Sequence, residues 1–539
     1  LLLGILEDKD YRAMLRTLVR ADDRVVITPP DSARAGDPEN LARVAREITQ
    51  EVEVVPAADA ALSRALDRAA GRRILCAAGT CVACFWRGGR VMTAKDSLSD
   101  YLAGGIYYAI LLEAFLIALS PPLATAALLL GVIFWLARLV VDKECRRFRR
   151  LPYDVPAALF ALLGAVSIFV SPDRGFSFYN YYNLVGVYLL TYLLIGQNVQ
   201  ASQDIRKIVY ALGLSCVLVV LYGFYQFAFG IDTSTMKWVD GDAFPELKKR
   251  VFSTWENPNI LAGYLDVAMC FAFAFFVKMR ERRRRIALGA ALVLLAACLA
   301  MTYARMAFLV IALIFILYGM FRDGRVLLAV GVVAGALFLL DPALLDRVTS
   351  VFTRIDTSSE MRLALWESTL AMIGDHPFFG IGWGAYWMVY PEYDFYLQGA
   401  DVLIVHAHNM YLNYAAEIGV VGAVSFLWFF FGTMGLAFFS KVHDSEGFRQ
   451  GLMLAISLAF ISVALNGLTD DVLFNIPSSM LLWLLAALAA VTEFAGNEED
   501  EAIVMDELAA RKRQKLRELR QRAKEGGESP KNSGEESEN

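Results

Sequence analysis

The chain has 539 residues, 57% of them hydrophobic and only 20% charged, with a mean hydropathy of +0.46. From residue 103 onward, apolar runs of about 17–22 residues recur at the length needed to cross a bilayer, which excludes a soluble globular protein and predicts a polytopic membrane protein. The net charge of −5 says little, because basic residues gather between some runs and are sparse between others. No cofactor and no nucleic-acid partner is expected.

Residues 1–93 differ from the rest. The short apolar runs LLLGIL, RVVIT, VEVVP and RILCAA alternate with the amphipathic stretches DYRAMLRTLV, ENLARVAREI and DAALSRALDRA. That alternation predicts a small α/β domain with a βαβ-type parallel sheet. GILEDKDYRAML, with Asp8 and Asp10, and TPPDSARAGDPENL, with Pro30, Asp31, Ser32 and Arg34, resemble the C-terminal, Mur-ligase-like domain of folylpolyglutamate synthases. The resemblance stops after Gly79, where GTCVACFWRGGRV stands in place of the family's Gly-Ser-Leu-Tyr type turn. No G-x-x-x-x-G-K-[ST] phosphate loop occurs in the chain. A remnant or fusion without folate-ligase activity is expected, with a docking domain as the alternative. Cys76, Cys81 and Cys84 include a C-x-x-C, but without a second pair or a nearby histidine it does not predict a zinc or redox site. No signal-peptide pattern opens the chain, so the internal helices are expected to drive insertion.

Beyond residue 100 the hydropathy predicts a mainly α, helical membrane bundle of about twelve spans. They fall at 103–119, 123–141, 155–171, 182–197, 208–229, 259–277, 286–302, 306–321, 326–340, 411–439, 450–467 and 477–493. The basic loops DKECRRFRR (142–150), KMRERRRR (278–285) and FRDGR (321–325) predict the cytoplasmic side. Both termini are then cytoplasmic, and the loops 230–258, 303–305, 341–409 and 468–476 face outward. The end of the chain, 496–539, reads as a charged cytoplasmic tail, with MDELAARKRQKLRELRQRAK (505–524) a helix candidate before a Gly/Ser/Glu-rich stretch.

The outward face collects the residues with chemistry. Arg250 precedes the sixth span, where Asn257, Pro258 and Asn259 read as a cap and first turn. Arg305 sits in the short turn between two spans, where a charge is costly unless it meets a polar cavity. In 341–409, a surface helix is expected from Thr357 to Gly374, with capping-box spacing from Thr357 to Glu360 and an apolar stripe of Met361, Leu365, Leu370 and Ile373. Arg362 and Trp366 lie one turn apart on it, close enough for a guanidinium to sit against an indole face. Three arginines suit a diphosphate, because guanidinium presents a planar fork to phosphate oxygens.

Only four histidines occur. His406 and His408 stand with Asn409 before the span at 411–439, and imidazole suits proton transfer near neutral pH. Asn409 can cap the helix that follows. His376 reads as structural and His443 as solvated. Asp470 and Asp471 are the nearest outward acids and, with Glu256, are where a metal requirement would have to be met; no metal site is expected.

His408-Asn409, nine residues, then Gly419-x-x-Gly422 resembles the signature H-[NSQ]-x9-G-x-x-G of the O-antigen ligase and polymerase superfamily of bacterial envelope glycosyltransferases. R-x-x-x-W at Arg362 and Trp366, HPFFGIG from His376 to Gly382, and the Arg250 to Asn259 segment are similar as well. The resemblance covers 100–495 and implies a GT-C-like membrane fold in the cytoplasmic membrane. It implies an undecaprenyl-diphosphate-linked glycan as donor, an acceptor hydroxyl on lipid, glycan, protein or wall polymer, and His408 in the catalytic position. Arg250, Arg305 and Arg362 would hold the diphosphate. His406 is given a secondary role, its side chain expected to point elsewhere. Gly419 and Gly422 are expected to let the helix pack closely against a neighbour. A transporter of an anionic solute is the rival of another class, disfavoured by the absence of an evident internal repeat.

Overall fold

The computed structural model describes residues 1–4, 11–29, 37–56, 60–61, 64–65, 74–78, 82–87, 90–92, 94–230, 250–340, 344–345, 349, 357–394, 404–442 and 447–494. The expected tail helix, His443, the Asp8 and Asp10 segment and most of the third amphipathic stretch lie outside these residues. The chain divides into two compact units, Leu1–Ala109 with Leu129–Phe148, and Ile110–Leu128 with Arg149–Asn539.

The first unit holds a six-stranded sheet in the order β3-β2-β1-β4-β5-β6. β1 (Leu2–Gly4), β2 (Arg24–Ile27), β3 (Glu51–Val54) and β4 (Ile74–Ala78) pair in parallel. Leu3, Val25 and Ile27 bury against Leu15 of α1 (Tyr11–Leu18) and Leu41 and Val44 of α2 (Pro38–Arg46). Proline at the start of α2 and the Asp37 side chain, which accepts from Glu39 N–H at 3.1 Å, open that helix. The sheet is not wholly parallel. The segment at which the folylpolyglutamate-synthase resemblance stops forms β5 (Val82–Arg87) and β6 (Arg90–Met92), a hairpin laid antiparallel on β4. Its two ends lie within a few residues of each other, and antiparallel pairing is what so short a connection allows.

The membrane-type helices are α3 (Ala94–Leu116), α4 (Pro121–Val141), α5 (Asp154–Ser167), α6 (Arg174–Tyr181), α7 (Leu189–Asn198), α8 (Ser202–Phe229), α9 (Pro258–Lys278), α10 (Arg282–Ala300), α11 (Arg305–Phe321) and α12 (Arg325–Leu340). After these come α13 (Thr357–Asp375), the short α14 (Tyr386–Val389), α15 (Met410–Phe438), α16 (Phe448–Asn466) and α17 (Ile476–Phe494). Among the described residues, six are long and apolar enough to cross a membrane: α4, α8, α9, α15, α16 and α17. All twelve apolar stretches of the sequence are predominantly helical, but α5, α11 and α12 are shorter apolar helices. The stretch at 182–197 is broken by a π-turn at Tyr182–Gly186, which leaves α7 with 10 residues. At 1.5 Å per residue that is about 15 Å of helix, half a bilayer core.

In the second unit α9 runs beside α16 in the opposite sense. Asp266, two turns into α9, accepts from the side-chain amide of Asn466, the last residue of α16, at 2.9 Å. The start of α9 and the loop after α16 therefore lie at one end of the bundle. An apolar cavity there is lined by Trp255, Tyr264, Val463, Val472 and Leu473.

Candidate functional site

α15 contains a break, and its sequence explains it. Gly419 has φ +75° and ψ 169°, outside the helical region, so the carbonyls before it lose their donors four residues on. The segment HPFFGIGWG after α13 supplies replacements. Ile381 N–H donates to Ala416 O at 2.8 Å and Gly382 N–H to Glu417 O at 3.0 Å, while Val420 N–H turns to Pro377 O at 2.8 Å. Gly384 N–H donates to the Glu417 carboxyl at 2.8 Å. A Cβ on Gly419 would run into the Phe378 carbonyl, and one on Gly380 would lie 2.5 Å from the Ala416 carbonyl oxygen. The expectation of helix-on-helix packing at Gly419 and Gly422 is thereby corrected. Gly419 makes the break, and Gly422 clears room for Ile418, whose Cγ1 would stand 2.7 Å from an added Cβ.

α13 carries the expected surface-helix sequence with a different buried stripe. Leu365, Ser368, Thr369 and Met372 are buried, whereas Leu370 is exposed. The hydroxyl of Thr369 satisfies itself on Leu365 O and Tyr386 OH, which lets a polar residue occupy the inner face. Leu365 and Tyr386 pack with Ala407 in one core, and Trp366 lies against it. Among the described residues, Arg362 and Trp366 form no cation–π contact and the indole N–H has no hydrogen-bond partner. The expected stacking is corrected: the indole packs into the core instead of facing the guanidinium.

Ala407, fully buried in that core, anchors the two histidines that flank it. His408 has φ +46°, a left-handed conformation costly for a residue with a Cβ. The His406 and His408 rings are 4.3 Å apart between centroids, and both face Asp470. His408 Nδ1 lies 3.2 Å from Asp470 Oδ1 and His406 Nε2 lies 4.0 Å from the same oxygen. The expectation that His406 points elsewhere is wrong, because the segment bends at both histidines around the buried Ala407 and brings the two rings to one carboxylate. Asn409 caps α15, its Oδ1 accepting from Tyr411 and Leu412 N–H at 3.0 Å each. Its amide donates to Leu468 O at 3.1 Å, and Met410 N–H reaches Gly467 O at 2.8 Å. These bonds hold the loop after α16 against the start of α15 and so deliver Asp470.

Burial opposes ionisation of Asp470, yet the hydrogen bond from His408 and the charges of His406, His408 and Arg362 outweigh it and bring its carboxyl down to about 2. Burial, aided by the charges of His408 and Arg362, lowers His406 to about 4. Asp471, next in the chain, is pushed up to about 7 by burial and by the charge of Asp470. Arg362 is thus electrostatically part of the cluster.

His406, His408 and Asp470 could together offer three ligand atoms to a metal ion. The tautomers argue against it. His408 N–H donates to His406 Nδ1 at 3.1 Å, so the neutral ring carries its proton on Nε2, the atom a metal would need unprotonated. Asp471 and Glu256 are not in that group.

Arg250 and Asn259 form a second focus at the same end. Arg250 Nε donates to Thr302 O at 2.7 Å and an Arg250 terminal nitrogen to Asn259 Oδ1 at 2.6 Å. Arg305 opens α11 three residues beyond Thr302, where a positive charge opposes the helix dipole. Asn257 caps α9, accepting from Asn259 N–H at 2.8 Å. The turn carrying Arg250 is fixed to α8 through Gln226, whose Oε1 accepts from Ser253 N–H at 2.6 Å. Among the described residues, the positive-φ positions that are not glycine are Ser253, Glu256, Tyr303 and His408. All lie in these two foci, and such strain persists only where the surroundings enforce it. His376 is exposed and closes α13 through its backbone.

Asp470 is the residue that the sequence undervalues. It is 62 residues from His408, and the only local signal is a pair of acids in a short loop between two apolar runs.

The helices define a multi-pass membrane protein. Residues 290–427 match the family model Wzy_C, O-antigen ligase, and that match supports the O-antigen ligase and polymerase superfamily, a group of membrane glycosyl-transferring enzymes acting on lipid-linked glycans. The matched stretch contains Arg305, Arg362, Trp366, His406, His408, Asn409, Gly419 and Gly422, while Arg250, Asn259 and Asp470 lie outside it. No curated protein matches the chain.

Proposed function

We propose that this chain moves a glycan from undecaprenyl diphosphate to an acceptor hydroxyl at the outer face of the cytoplasmic membrane, as an O-antigen ligase does. The observation that carries the reading is the 3.2 Å contact of His408 Nδ1 with Asp470. An ionised Asp470 accepts a hydrogen bond from His408 Nδ1–H, which leaves the Nε2 lone pair of His408 to act as a base. The carboxylate thus fixes tautomer and orientation, as in a Ser-His-Asp triad. The acceptor oxygen attacks the anomeric carbon while His408 takes its proton. The bond from that carbon to the diphosphate breaks, and undecaprenyl diphosphate leaves with the bonding pair. Arg362, beside the dyad, and Arg250 and Arg305, at the same end of the bundle, neutralise the departing diphosphate. No step requires a metal ion.

The test is a transfer assay with purified protein, a lipid-linked glycan donor and either lipid A core or free glycan as acceptor. Transfer by the wild-type protein that survives a chelator and disappears in His408→Ala supports the reading. Transfer that needs a divalent ion overturns the metal-free mechanism.

A further inference from the structure

We propose that Asn413 is a positioning residue for the His408–Asp470 pair, an inference that rests on the base assigned to His408 above. Asn413 is 1% exposed, on the first turn of α15. Its Oδ1 accepts Ala407 N–H at 3.2 Å, the backbone group between the two histidines. Its amide faces the carboxyls of both Glu417 and Asp471. Each of those acids is tied onward. Asp471 N–H donates to Asp470 Oδ1 at 2.9 Å, and Asp471 Oδ1 accepts from Leu473 N–H at 3.2 Å. Glu417 accepts from Gly384 N–H at 2.8 Å.

Asn413 is therefore bonded to the histidine segment 404–409 and lies beside two carboxyls that are fastened in turn to the loop 467–475 and the glycine segment 380–384. None of the three segments has a repeating hydrogen-bond ladder to fix it. An amide suits the place because its Oδ1 accepts the Ala407 N–H while it brings no charge of its own beside two carboxyls. Displacements of about 1 Å at a catalytic pair cost on the order of 10²-fold in rate, so the segment that carries His408 needs such a clamp. Asparagine on a helix one turn past its cap reads in sequence as a bland polar residue, and only the fold shows what it joins.

The experiment compares Asn413→Ala, Asn413→Asp and Asn413→Asp combined with Glu417→Gln, with His408→Ala as the control for the base itself. Asn413→Asp keeps the acceptor for Ala407 N–H but adds a fourth carboxyl to Glu417, Asp471 and Asp470. Tyr414 and Tyr386 also face Glu417, and His406, His408 and Arg362 face Asp470. Both single variants are expected to lower kcat about 10–100-fold with donor KM within about twofold. The ratio of Asn413→Asp to wild type is expected to recover as pH falls and the added carboxyl protonates, and Glu417→Gln is expected to restore part of the rate at neutral pH. Wild-type kcat in Asn413→Asp, or a loss that neither lower pH nor Glu417→Gln relieves, overturns the proposal even if Asn413→Ala fails to fold. A dead His408→Ala beside a normal Asn413→Asp removes the positioning role alone. Transfer by His408→Ala near the wild-type rate removes the base on which it rests.

Discussion

Asn466 touches two acids of contrasting character. Its side-chain amide donates to Asp266 at 2.9 Å, and its carbonyl accepts from Asp470 N–H at 3.1 Å. Asp266 is wholly enclosed between α9 and α16, with Asn466 and Ser462 as its neighbours. Asp470 keeps 28% of its side chain exposed and faces two imidazoles. Burial alone does not mark a site, since the more deeply buried acid is closed off from solvent and so from any substrate. Of the two acids, Asp470 is the one at which solvent access, a titratable neighbour and an enforced backbone conformation at His408 coincide. Asp266 reads as a tie between two helices, Asp470 as part of a reacting pair.

The sharpest way to break this contrast is at His408. His408→Ala should lower glycan transfer by roughly 10²–10⁴-fold, the usual worth of a positioned base, with the melting temperature in detergent close to wild type. Asp470→Asn comes next, with a loss on the order of 10²-fold, because the amide can present N–H to His408 Nδ1 and hold the wrong tautomer. Measured kcat should fall while the melting temperature moves little. Near-normal transfer by Asp470→Asn would return it to the status of a loop acid.

Arg362→Ala should weaken transfer by about 1.5–3 kcal/mol, the worth of one charge-assisted hydrogen bond. Lysine should rescue it only in part, since a point charge lacks the guanidinium fork. The same pair of substitutions at Arg305 checks whether the second focus shares the diphosphate. Full rescue by lysine at both positions would argue for a screening role in place of direct contact. Asp266→Ala belongs at the other end of the scale for chemistry. It leaves a buried Asn466 donor without its acceptor, a cost of about 1–3 kcal/mol in stability, while transfer stays within a few-fold of wild type. A loss of kcat as deep as that of Asp470→Asn, with no fall in melting temperature, would erase the difference between the two acids.

The sequence exposes one half of this arrangement more clearly than the other. The apolar runs, the Asn257 and Asn409 caps and the neighbourhood of His408 follow from local patterns, because helix length and capping depend on residues close in the chain. The pairing of His408 with Asp470 depends on the loop after α16 docking on the start of α15, through backbone groups of Gly467 and Leu468 that carry no side-chain signal. Glycine misleads in the same way. Gly419 fits a small-residue packing motif by spacing, yet its positive φ and the approach of Phe378 show a chain break that a distant segment fills. The buried face of α13 is hard to read from sequence because Thr369 counts as polar by type, whereas its hydroxyl, bonded to its own helix, is compatible with burial.

The smallest expected effect separates His406 from Asp471 by pH. His406 has its pKa lowered from 6.5 to about 4, so the folded protein binds fewer protons than the unfolded chain in that window, and stability falls as pH drops through it. Asp471 has its pKa raised from 3.8 to about 7, so the folded protein retains a proton that the unfolded chain releases, and stability rises as pH drops through nearly the same window. The two contributions oppose each other, and the wild-type melting temperature should change little between about pH 7 and pH 4 on their account. Asp471→Asn should unmask His406, giving a melting temperature that falls with acid. His406→Gln should unmask Asp471, giving one that rises. Thermal unfolding in detergent across this range checks both slopes, relative to wild type, and slopes of the same sign in the two variants would show that the opposed burial of imidazole and carboxyl is not what governs this end of the bundle.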